Sequence, residues 1–267
     1  MMSVPSEQVL TERIDHTMLV TINRPEVRNC VNAHVHQGIG RALEEAEADP
    51  GIRSVILTGA GTDAFCAGAD LKAVSRGESL LPEDPVERSW GFGGYAFHPI
   101  SKPTIAAVNG MALGGGTEIV LASDLAVAST VATFGLTEVT WGLFASEGGV
   151  MRLPRQVPRK KALEMMLTGE PIDAAEALRL GLVNRVVDPD DVLNSALALA
   201  ERINRNAPLA VAASKAVALG IAHGTVPEES TQRLLADHWQ HIVRSSEDFR
   251  EGPRAFAERR RPIWKGR

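Results

Sequence analysis

Short apolar runs alternate with longer amphipathic runs over the first part of the chain. Residues 18–23 are rich in strand-forming side chains and end in an Asn-Arg-Pro turn, whereas residues 31–48 have helical periodicity and end at an Asp-Pro-Gly stop. Further apolar strands are predicted at residues 54–58, 104–108 and 123–129. Because strands alternate with helices, the pattern predicts a layered α/β core in which the loops after the strands carry the functional site.

Two regions depart from this alternation. Residues 75–103 combine Gly, Pro, Glu and scattered aromatic residues without a clear period, which predicts an irregular segment that contacts a substrate. After residue 190 the pattern is almost entirely helical, with helices predicted at residues 191–204, 209–222, 228–244 and 251–260. Their apolar faces need a surface to cover, so this tail either folds back on the core or packs between subunits, and we expect oligomerisation. The predicted division is a core, residues 1–190, and a helical C-terminal region, residues 191–267.

Composition excludes several classes of protein. The chain has 267 residues, of which 44% are apolar, and this is enough for one sizeable core with an appendage. A net charge of -5 gives no broad basic field, so we expect no nucleic-acid partner. Cys30 and Cys66 are too few for a disulfide scaffold, and residues 1–8 lack the pattern of a signal peptide, which favours the reducing cytoplasm. No apolar run reaches membrane-spanning length, so we expect no membrane partner.

The first candidate site is a glycine-rich passage from a strand into a helix. Residues 109–118 run through Gly114, Gly115 and Gly116 and end at Glu118, in the first turn of an apolar helix. Backbone amides at a helix start lack intrahelical partners, and glycines let a ligand approach them, so an anion or oxyanion site is predicted. A tightly packed turn, with a glutamate that only complements the helix dipole, is the alternative interpretation. A nucleotide site is disfavoured because neither G-x-G-x-x-G nor a P-loop lysine follows the strand.

A second segment, residues 65–72, also passes through a glycine between a strand and a possible helix. The backbone amides around Gly68 and Ala69 are predicted to lie near the end of a neighbouring strand. Taken alone, the segment also fits an ordinary connecting turn. Two N–H groups from two loops would form an oxyanion hole. Donors held ~3 Å from a developing oxyanion commonly contribute about 3–4 kcal/mol each to transition-state stabilisation, and such a site needs no metal ion.

The sequence resembles the enoyl-CoA hydratase/isomerase (crotonase) family in three motifs that occur in a fixed order, at residues 65–72, 109–118 and 134–138. The similarity extends over residues 23–256. The resemblance implies the α/β fold of the ClpP/crotonase type, built from repeated ββα units with a helical C-terminal trimerisation region. It implies a homotrimer or a dimer of trimers. It also implies an acyl-CoA thioester substrate, a role in fatty acid metabolism such as β-oxidation, and no cofactor beyond the CoA that the substrate carries.

By position, the resemblance assigns the oxyanion donors to the backbone amides of Ala69 and Gly115, and the acid and base roles to Glu118 and Glu138. Members similar to the hydratases carry both glutamates, so the expected reaction is reversible hydration of a 2-enoyl-CoA to a 3-hydroxyacyl-CoA. We assign activation of water for attack at Cβ to Glu118 and proton delivery to Cα to Glu138. A shared role is the alternative, because two close carboxylates titrate as a coupled pair.

Further substrate contacts are expected around these four residues. They are Arg28, Ala67, Gly68, Asp70, Leu71, Lys72, Gly114 and Glu147. Glu147 departs from the family pattern, because many hydratase-like members have a small residue there. Members similar to dienoyl-CoA isomerases or carnitinyl-CoA dehydratases place an acid nearby, so isomerisation or dehydration of a specialised acyl-CoA stays an alternative, as does a solvated loop position for Glu147. A non-catalytic acyl-CoA-binding protein is a further alternative, which the two glutamates disfavour.

Several other residues are candidates for contacts with the CoA phosphates or for the wall of the acyl pocket. Four basic residues are candidate partners for the CoA phosphates: Arg24, Arg28, Lys72 and Lys265. Lys72 is favoured because it adjoins the predicted oxyanion segment. Trp90 and Phe92 fit either the acyl pocket or the core. The seven histidines show no metal-ligand spacing, so no metal site is predicted, and Cys66 is interpreted as a packing residue.

Overall fold

The computed structural model describes residues 7–267, except the side chain of Ser75, so the expectation about residues 1–8 lies mostly outside it. Ten strands form within the described chain: β1 (Val9–Ile14), β2 (Thr17–Ile22), β3 (Ser54–Gly59), β4 (Ala64–Cys66), β5 (Thr104–Val108), β6 (Met111–Leu113), β7 (Leu125–Ser129), β8 (Thr133–Gly135), β9 (Ile172–Asp173) and β10 (Arg185–Val187). The same residues form eleven α-helices: α1 (Ala33–Ala48), α2 (Leu71–Ser75), α3 (Pro85–Ser89), α4 (Gly115–Ala122), α5 (Gly149–Gln156), α6 (Arg159–Thr168), α7 (Ala174–Leu180), α8 (Val192–Asn204), α9 (Pro208–Leu219), α10 (Ser230–Ser245) and α11 (Glu247–Ala257). None of these helices is long and apolar enough to cross a membrane.

The strands form two sheets. The larger sheet has the order β1-β2-β3-β5-β7-β10 and is parallel from β2 onward, while the smaller sheet has the order β4-β6-β8-β9. Three strands of the first sheet are each followed by a short strand of the second sheet and then by a helix, in the orders β3-β4-α2, β5-β6-α4 and β7-β8-α5. This is the repeated ββα arrangement that the resemblance implies. Because β4, β6 and β8 are parallel, the loops that follow them meet at one edge of the small sheet.

The central strands β3 and β5 are buried along their whole length, because helices cover both faces of the large sheet. On one face, Ile39 of α1 and Leu57 of β3 belong to the main hydrophobic cluster. On the other face, Ala196 of α8 packs with Ile56 and Ile105 in a second cluster. Helix α8, the first helix of the predicted C-terminal region, therefore covers one face of the sheet. The division at residue 190 stays a prediction.

The long periodic elements agree closely with the sequence pattern, and the differences have local causes. The predicted strand at residues 123–129 begins only at Leu125, because α4 continues to Ala122. The three-residue strands β4, β6 and β8 were not predicted, since runs this short carry no periodicity. Within residues 75–103, which were expected to be irregular, the chain forms α3 and a 3-10 turn at Phe92–Gly94. Gln37 of α1 anchors α3 by donating a hydrogen bond of 2.7 Å to Glu87.

Helices α10 and α11 fold back over the core of the same chain. Glu229, just before α10, accepts two hydrogen bonds of 2.9 Å from the guanidinium of Arg152 in α5. Helix α11 lies directly against the turn that contains Trp141, because a Cβ atom on Gly252 would lie 1.7 Å from the Trp141 carbonyl oxygen. Phe256 of the same helix packs edge-on against the Trp141 ring. Helix α9, by contrast, buries none of its residues. Packing between subunits, the other interpretation of the tail, stays a prediction.

Candidate active site

A cavity of about 610 Å³ opens at the edge where the loops after β4, β6 and β8 meet. Every residue that the sequence predicted to be catalytic or to contact substrate lines this cavity: Arg28, Ala67, Gly68, Ala69, Asp70, Leu71, Lys72, Gly114, Gly115, Glu118, Glu138 and Glu147. The fold therefore brings together residues that are up to 119 positions apart in the chain. Their individual roles stay predictions.

The segment between β4 and α2 is held in place by its own backbone. Ala67 donates a hydrogen bond to the Arg28 carbonyl at 3.0 Å, and Asp70 donates one to the Val31 carbonyl at 3.0 Å. Gly68 adopts φ +91°, a conformation that residues with a Cβ atom rarely adopt. These bonds leave the Ala69 N–H without an acceptor anywhere in residues 7–267, at the surface of the cavity.

The start of α4 lies directly against this segment. A Cβ atom on Gly68 would come within 3.3 Å of the Gly115 nitrogen, and one on Gly116 would come within 1.9 Å of the Cys66 carbonyl oxygen. As the first residue of α4, Gly115 has an N–H with no intrahelical partner. The two loops thus present two unpaired N–H groups, those of Ala69 and Gly115, to the same cavity. This arrangement can stabilise negative charge on a carbonyl oxygen.

Glu118 lies one helical turn into α4 and is buried. Its Oε1 atom accepts a hydrogen bond of 2.9 Å from the N–H of Gly149, the first residue of α5. Burial raises the pKa of the Glu118 carboxyl well above its usual range, and the negative charges of Glu138 and Glu147 raise it further. The Gly149 N–H acts in the opposite direction, because it stabilises the ionised form.

Glu138 begins a 3-10 turn, Glu138–Trp141, that follows β8. Both of its carboxyl oxygens are buried, and within residues 7–267 neither has a hydrogen-bond partner on another residue. Burial raises the pKa of Glu138 to about 7. The carboxyl lies beside the glycine loop, since a Cβ atom on Gly114 would come within 3.3 Å of Glu138 Oε1. Glu138 can therefore exchange a proton near neutral pH.

Glu147 faces the cavity from the loop before α5 and is not a solvated loop residue. Its Oε2 atom accepts a hydrogen bond of 3.1 Å from the N–H of Phe92. Burial raises the pKa of the Glu147 carboxyl, whereas the Phe92 N–H, the charges of Arg244 and Arg233, and the side chain of Gln240 lower it. The carboxyl groups of Glu118, Glu138 and Glu147 thus line the same cavity.

The candidate phosphate ligands have different surroundings. Arg24 donates to Asp70 at 3.1 Å and to the Cys30 carbonyl at 2.6 Å, so its guanidinium is engaged in holding the segment before α2. Lys265 pairs with Glu247 at 2.5 Å and does not line the cavity. Arg28 and Lys72 do line it. Of the four candidates, Arg28 and Lys72 thus lie on the cavity, and the binding of a phosphate by either stays a prediction.

Trp90 and Phe92 differ in position, although the sequence pattern fits each of them to either the acyl pocket or the core. Trp90 is a core residue that stacks on the His36 ring and contacts the His98 ring at a tilt. Phe92 lines the cavity, and its ring lies against Gly115, where a Cβ atom would come within 2.2 Å of it. Cys66 is fully buried, and burial raises the pKa of its thiol to about 12, which fits a packing role.

One wall of the cavity went unrecognised in the sequence. It comes from α10 and α11, through Gln240, Val243, Arg244, Phe249 and Phe256. No local motif marks these positions, because they approach the site only through the fold-back of the two helices. Among residues 7–267, no group of three or more His, Cys, Asp or Glu side chains is arranged to hold a metal ion.

Two loops that present unpaired N–H groups, together with buried carboxyls on a ββα scaffold, define the class of this protein. Residues 13–267 match the enoyl-CoA hydratase/isomerase family, and the chain belongs to that family. The crotonase fold expected from the sequence is thereby confirmed.

Three relatives show which members of the family this chain is similar to. The chain is 40% identical to a carnitinyl-CoA dehydratase of Proteus mirabilis (strain HI4320) over 254 residues, covering 93% of this chain and 94% of the relative. The crystal structure of a carnitinyl-CoA hydratase from Mycobacterium avium is 53% identical, with a TM-score of 0.94 over 98% of this chain and 99% of that one. The crystal structure of an enoyl-CoA hydratase from Mycobacterium tuberculosis H37Rv is 43% identical, with a TM-score of 0.75 over 98% of this chain and 100% of that one.

Proposed function

We propose that this protein catalyses the reversible addition of water across the Cα–Cβ double bond of a 2-enoyl-CoA, giving a 3-hydroxyacyl-CoA. The observation that carries the proposal is the meeting of two buried glutamates, Glu118 and Glu138, with the unpaired N–H groups of Ala69 and Gly115 on one cavity. Family membership supports an acyl-CoA thioester as the substrate.

The two N–H groups act on the thioester carbonyl. When water adds at Cβ, the electrons of the double bond move toward this carbonyl and develop negative charge on its oxygen. Donors that point at this oxygen stabilise the enolate more than the ground state, which lowers the barrier. Gly115 and Ala69 are suited to this task because backbone N–H groups are already fixed before the substrate binds.

The two carboxyls divide the proton transfers. Glu118 accepts the Gly149 N–H, which stabilises its ionised form, so it orients and deprotonates the attacking water. Glu138 has no donor from another residue, which favours its protonated form, so it delivers a proton to Cα. Burial raises the pKa of both carboxyls, so each of them can hold a proton during part of the reaction. In the dehydration direction the two roles reverse.

Turnover of simple enoyl-CoA thioesters tests the proposal directly. Purified protein is mixed with crotonyl-CoA and with longer 2-enoyl-CoAs, and the absorbance of the conjugated thioester is followed. We expect the absorbance to fall as the 3-hydroxyacyl-CoA forms, and to rise when the 3-hydroxyacyl-CoA is supplied instead. Tight CoA-ester binding without turnover in either direction would favour a non-catalytic binding protein.

A second candidate is dehydration of a specialised 3-hydroxyacyl-CoA. It is supported by the 40–53% identity to proteins named carnitinyl-CoA dehydratase or hydratase and by the presence of Glu147 on the cavity beside Glu118 and Glu138. Incubation with 4-trimethylammonio-3-hydroxybutyryl-CoA separates the two candidates. Release of the conjugated 2-enoyl product, at a rate well above that of the straight-chain substrates, would assign the specialised reaction.

A further inference from the structure

The N–H group of Gly115 lies in a stretch of backbone that its own sequence leaves free. Gly114, Gly115 and Gly116 follow one another, and within residues 7–267 no side chain caps the first turn of α4. Because glycine restricts the backbone least, the direction of this N–H depends on what packs around it. The Cys66 carbonyl oxygen limits the position of Gly116, and the Phe92 ring lies against Gly115, where a Cβ atom would come within 2.2 Å of a ring carbon. The Phe92 ring therefore helps to fix the start of α4.

Phe92 in turn lies in a stretch of chain that is equally permissive. Three glycines surround it, Gly91, Gly93 and Gly94, and all have φ between +65° and +72°. Because Phe92 begins a 3-10 turn, its N–H cannot bond within that turn. Glu147 Oε2 accepts this N–H at 3.1 Å, from a loop 55 positions further along the chain. A carboxylate that accepts an N–H forms a charge-assisted hydrogen bond, roughly twice as strong as a neutral one.

The loop that carries Glu147 is itself held in place. Gln240 of α10 donates a hydrogen bond of 2.8 Å to the hydroxyl of Ser146, the residue before Glu147. Two residues after Glu147, the Gly149 N–H donates to the Glu118 carboxyl at 2.9 Å. The Glu147 carboxyl thus connects a fixed loop beside Glu118 to the permissive turn that presents the Phe92 ring.

Resting on the proposed function, we infer that Glu147 is a positioning residue. By accepting the Phe92 N–H it holds the Phe92 ring against Gly115, and so directs the Gly115 N–H toward the thioester oxygen. In this role Glu147 has to be a hydrogen-bond acceptor and does not have to transfer a proton. The contacts that carry the inference are all to the backbone and the ring around the oxyanion donor, so the role applies to any acyl chain.

Two substitutions separate the hydrogen bond from the charge of Glu147. Glu147→Gln removes the charge and keeps a carbonyl oxygen that can accept the Phe92 N–H, whereas Glu147→Ala removes both. The two variants therefore carry the same charge and differ in the acceptor. Loss of the charge alone would make an enolate in the cavity more favourable, because it removes a like charge nearby. A less favourable enolate in Glu147→Ala than in Glu147→Gln therefore reports the lost hydrogen bond.

Binding of acetoacetyl-CoA measures the oxyanion donors without turnover. This 3-oxoacyl thioester loses its Cα proton to solvent, its enolate absorbs in the near ultraviolet, and donors at the thioester oxygen raise the fraction of bound ligand that is enolate. At saturating ligand we expect this fraction in Glu147→Ala to be about tenfold below that in Glu147→Gln. The expected change is smaller than the 10²–10³ that follows complete loss of an oxyanion donor, because the N–H is displaced and not removed. Equal enolate fractions in the two variants would overturn the inference.

A double-mutant cycle on turnover shows whether Glu147 acts through Phe92. With crotonyl-CoA, Glu147→Ala should lower kcat about tenfold with a smaller change in KM, since the displaced N–H acts mainly in the transition state. In a Phe92→Ala background the same substitution should change kcat little, because the ring it positions is gone. Glu164→Ala, at a surface carboxyl, is the control and should change neither kcat nor the enolate fraction.

Three outcomes decide between this role and others. An undiminished effect of Glu147→Ala in the Phe92→Ala background would overturn the inference. A kcat as low in Glu147→Gln as in Glu147→Ala would assign proton transfer to Glu147 and would also overturn it. Absence of turnover by the wild type on every thioester would refute the proposed reaction instead, and the enolate fractions would still decide the role of Glu147.

Discussion

At the scale of single residues, Glu118 and Glu138 share a cavity but differ in their hydrogen bonds, and the proposed reaction needs both. We predict that Glu118→Gln and Glu138→Gln each lower kcat by roughly 10²–10⁴, the usual size of a general acid or base contribution. The double substitution should cost little more than the worse single one, because the two groups act as a unit. The control is Glu164→Gln, whose side chain is on the surface. Near-normal rates in both single variants would remove the role assignments.

The raised pKa of Glu138 has a consequence for stability. In the folded protein its pKa is about 7, against 4.5 for an exposed carboxyl, so the native state holds this proton more tightly than the unfolded state does. The free energy of unfolding therefore falls as pH rises from 4.5 through 7. At low pH the carboxyl is neutral in both states and imposes no cost.

Glu138→Gln removes this ionisation, so the variant should be more stable than the wild type by about 3 kcal/mol at pH 8. At pH 4 the two proteins should have nearly equal free energies of unfolding. Urea denaturation at the two pH values measures the difference. A gain of the same size at both pH values would show that the ionisation of Glu138 is not its cause.

At the scale of elements, the predicted oxyanion hole depends on how closely α4 approaches β4. The contact is made by Gly116, where a Cβ atom would lie 1.9 Å from the backbone carbonyl oxygen of Cys66. Because a backbone atom cannot rotate away, Gly116→Ala must push the two elements apart. We predict a loss of about 2–4 kcal/mol in unfolding free energy and a fall in kcat, since the N–H groups of Ala69 and Gly115 would no longer converge.

The matched control is Gly181→Ala. Gly181 has φ +80° but no atom within 4 Å of an added Cβ, so the substitution strains the backbone without moving a neighbour. It should cost about 1 kcal/mol and leave kcat unchanged. A Gly116→Ala variant that behaved like this control would show that the close approach does not matter for activity.

The elements also explain which parts of the site the sequence could reveal. The loops at residues 65–72 and 109–118 were predictable, because free amides and glycines are properties of a local sequence. Residues of α10 and α11 such as Gln240 and Phe249 were not, because their place on the cavity follows from a fold-back that no local pattern encodes. The sequence likewise could not show that Trp90 lies in the core and Phe92 on the cavity, because this depends on which residues the tertiary fold places next to each of them.

At the scale of the whole molecule, the C-terminal helices leave apolar side chains in solvent. On α9 and α10 the most exposed are Leu209, Val217, Leu234 and Leu235, with exposed fractions of 57–86%. Several apolar side chains exposed to this extent are typical of an interaction surface, and closed symmetric assemblies are the usual way of covering one. Helix α10 also lines the cavity through Gln240 and Val243, so whatever packs on its outer face steadies one wall of the site.

The trimer or dimer of trimers expected from the sequence can be tested on this surface. Light scattering on the wild type should give three or six times the chain mass of 28.6 kDa. The double substitution Leu234→Glu and Leu235→Glu should shift the mass to that of a single chain, because each chain would bring two carboxylates into an apolar interface, six in a trimer, and burying unpaired charges is costly. Turnover should fall with it, mainly through a higher KM, as α10 loses its outer support. Val86→Glu, at an exposed apolar residue of α3, is the control and should change neither mass nor rate. A wild type that is already a single chain at micromolar concentration would refute the predicted assembly.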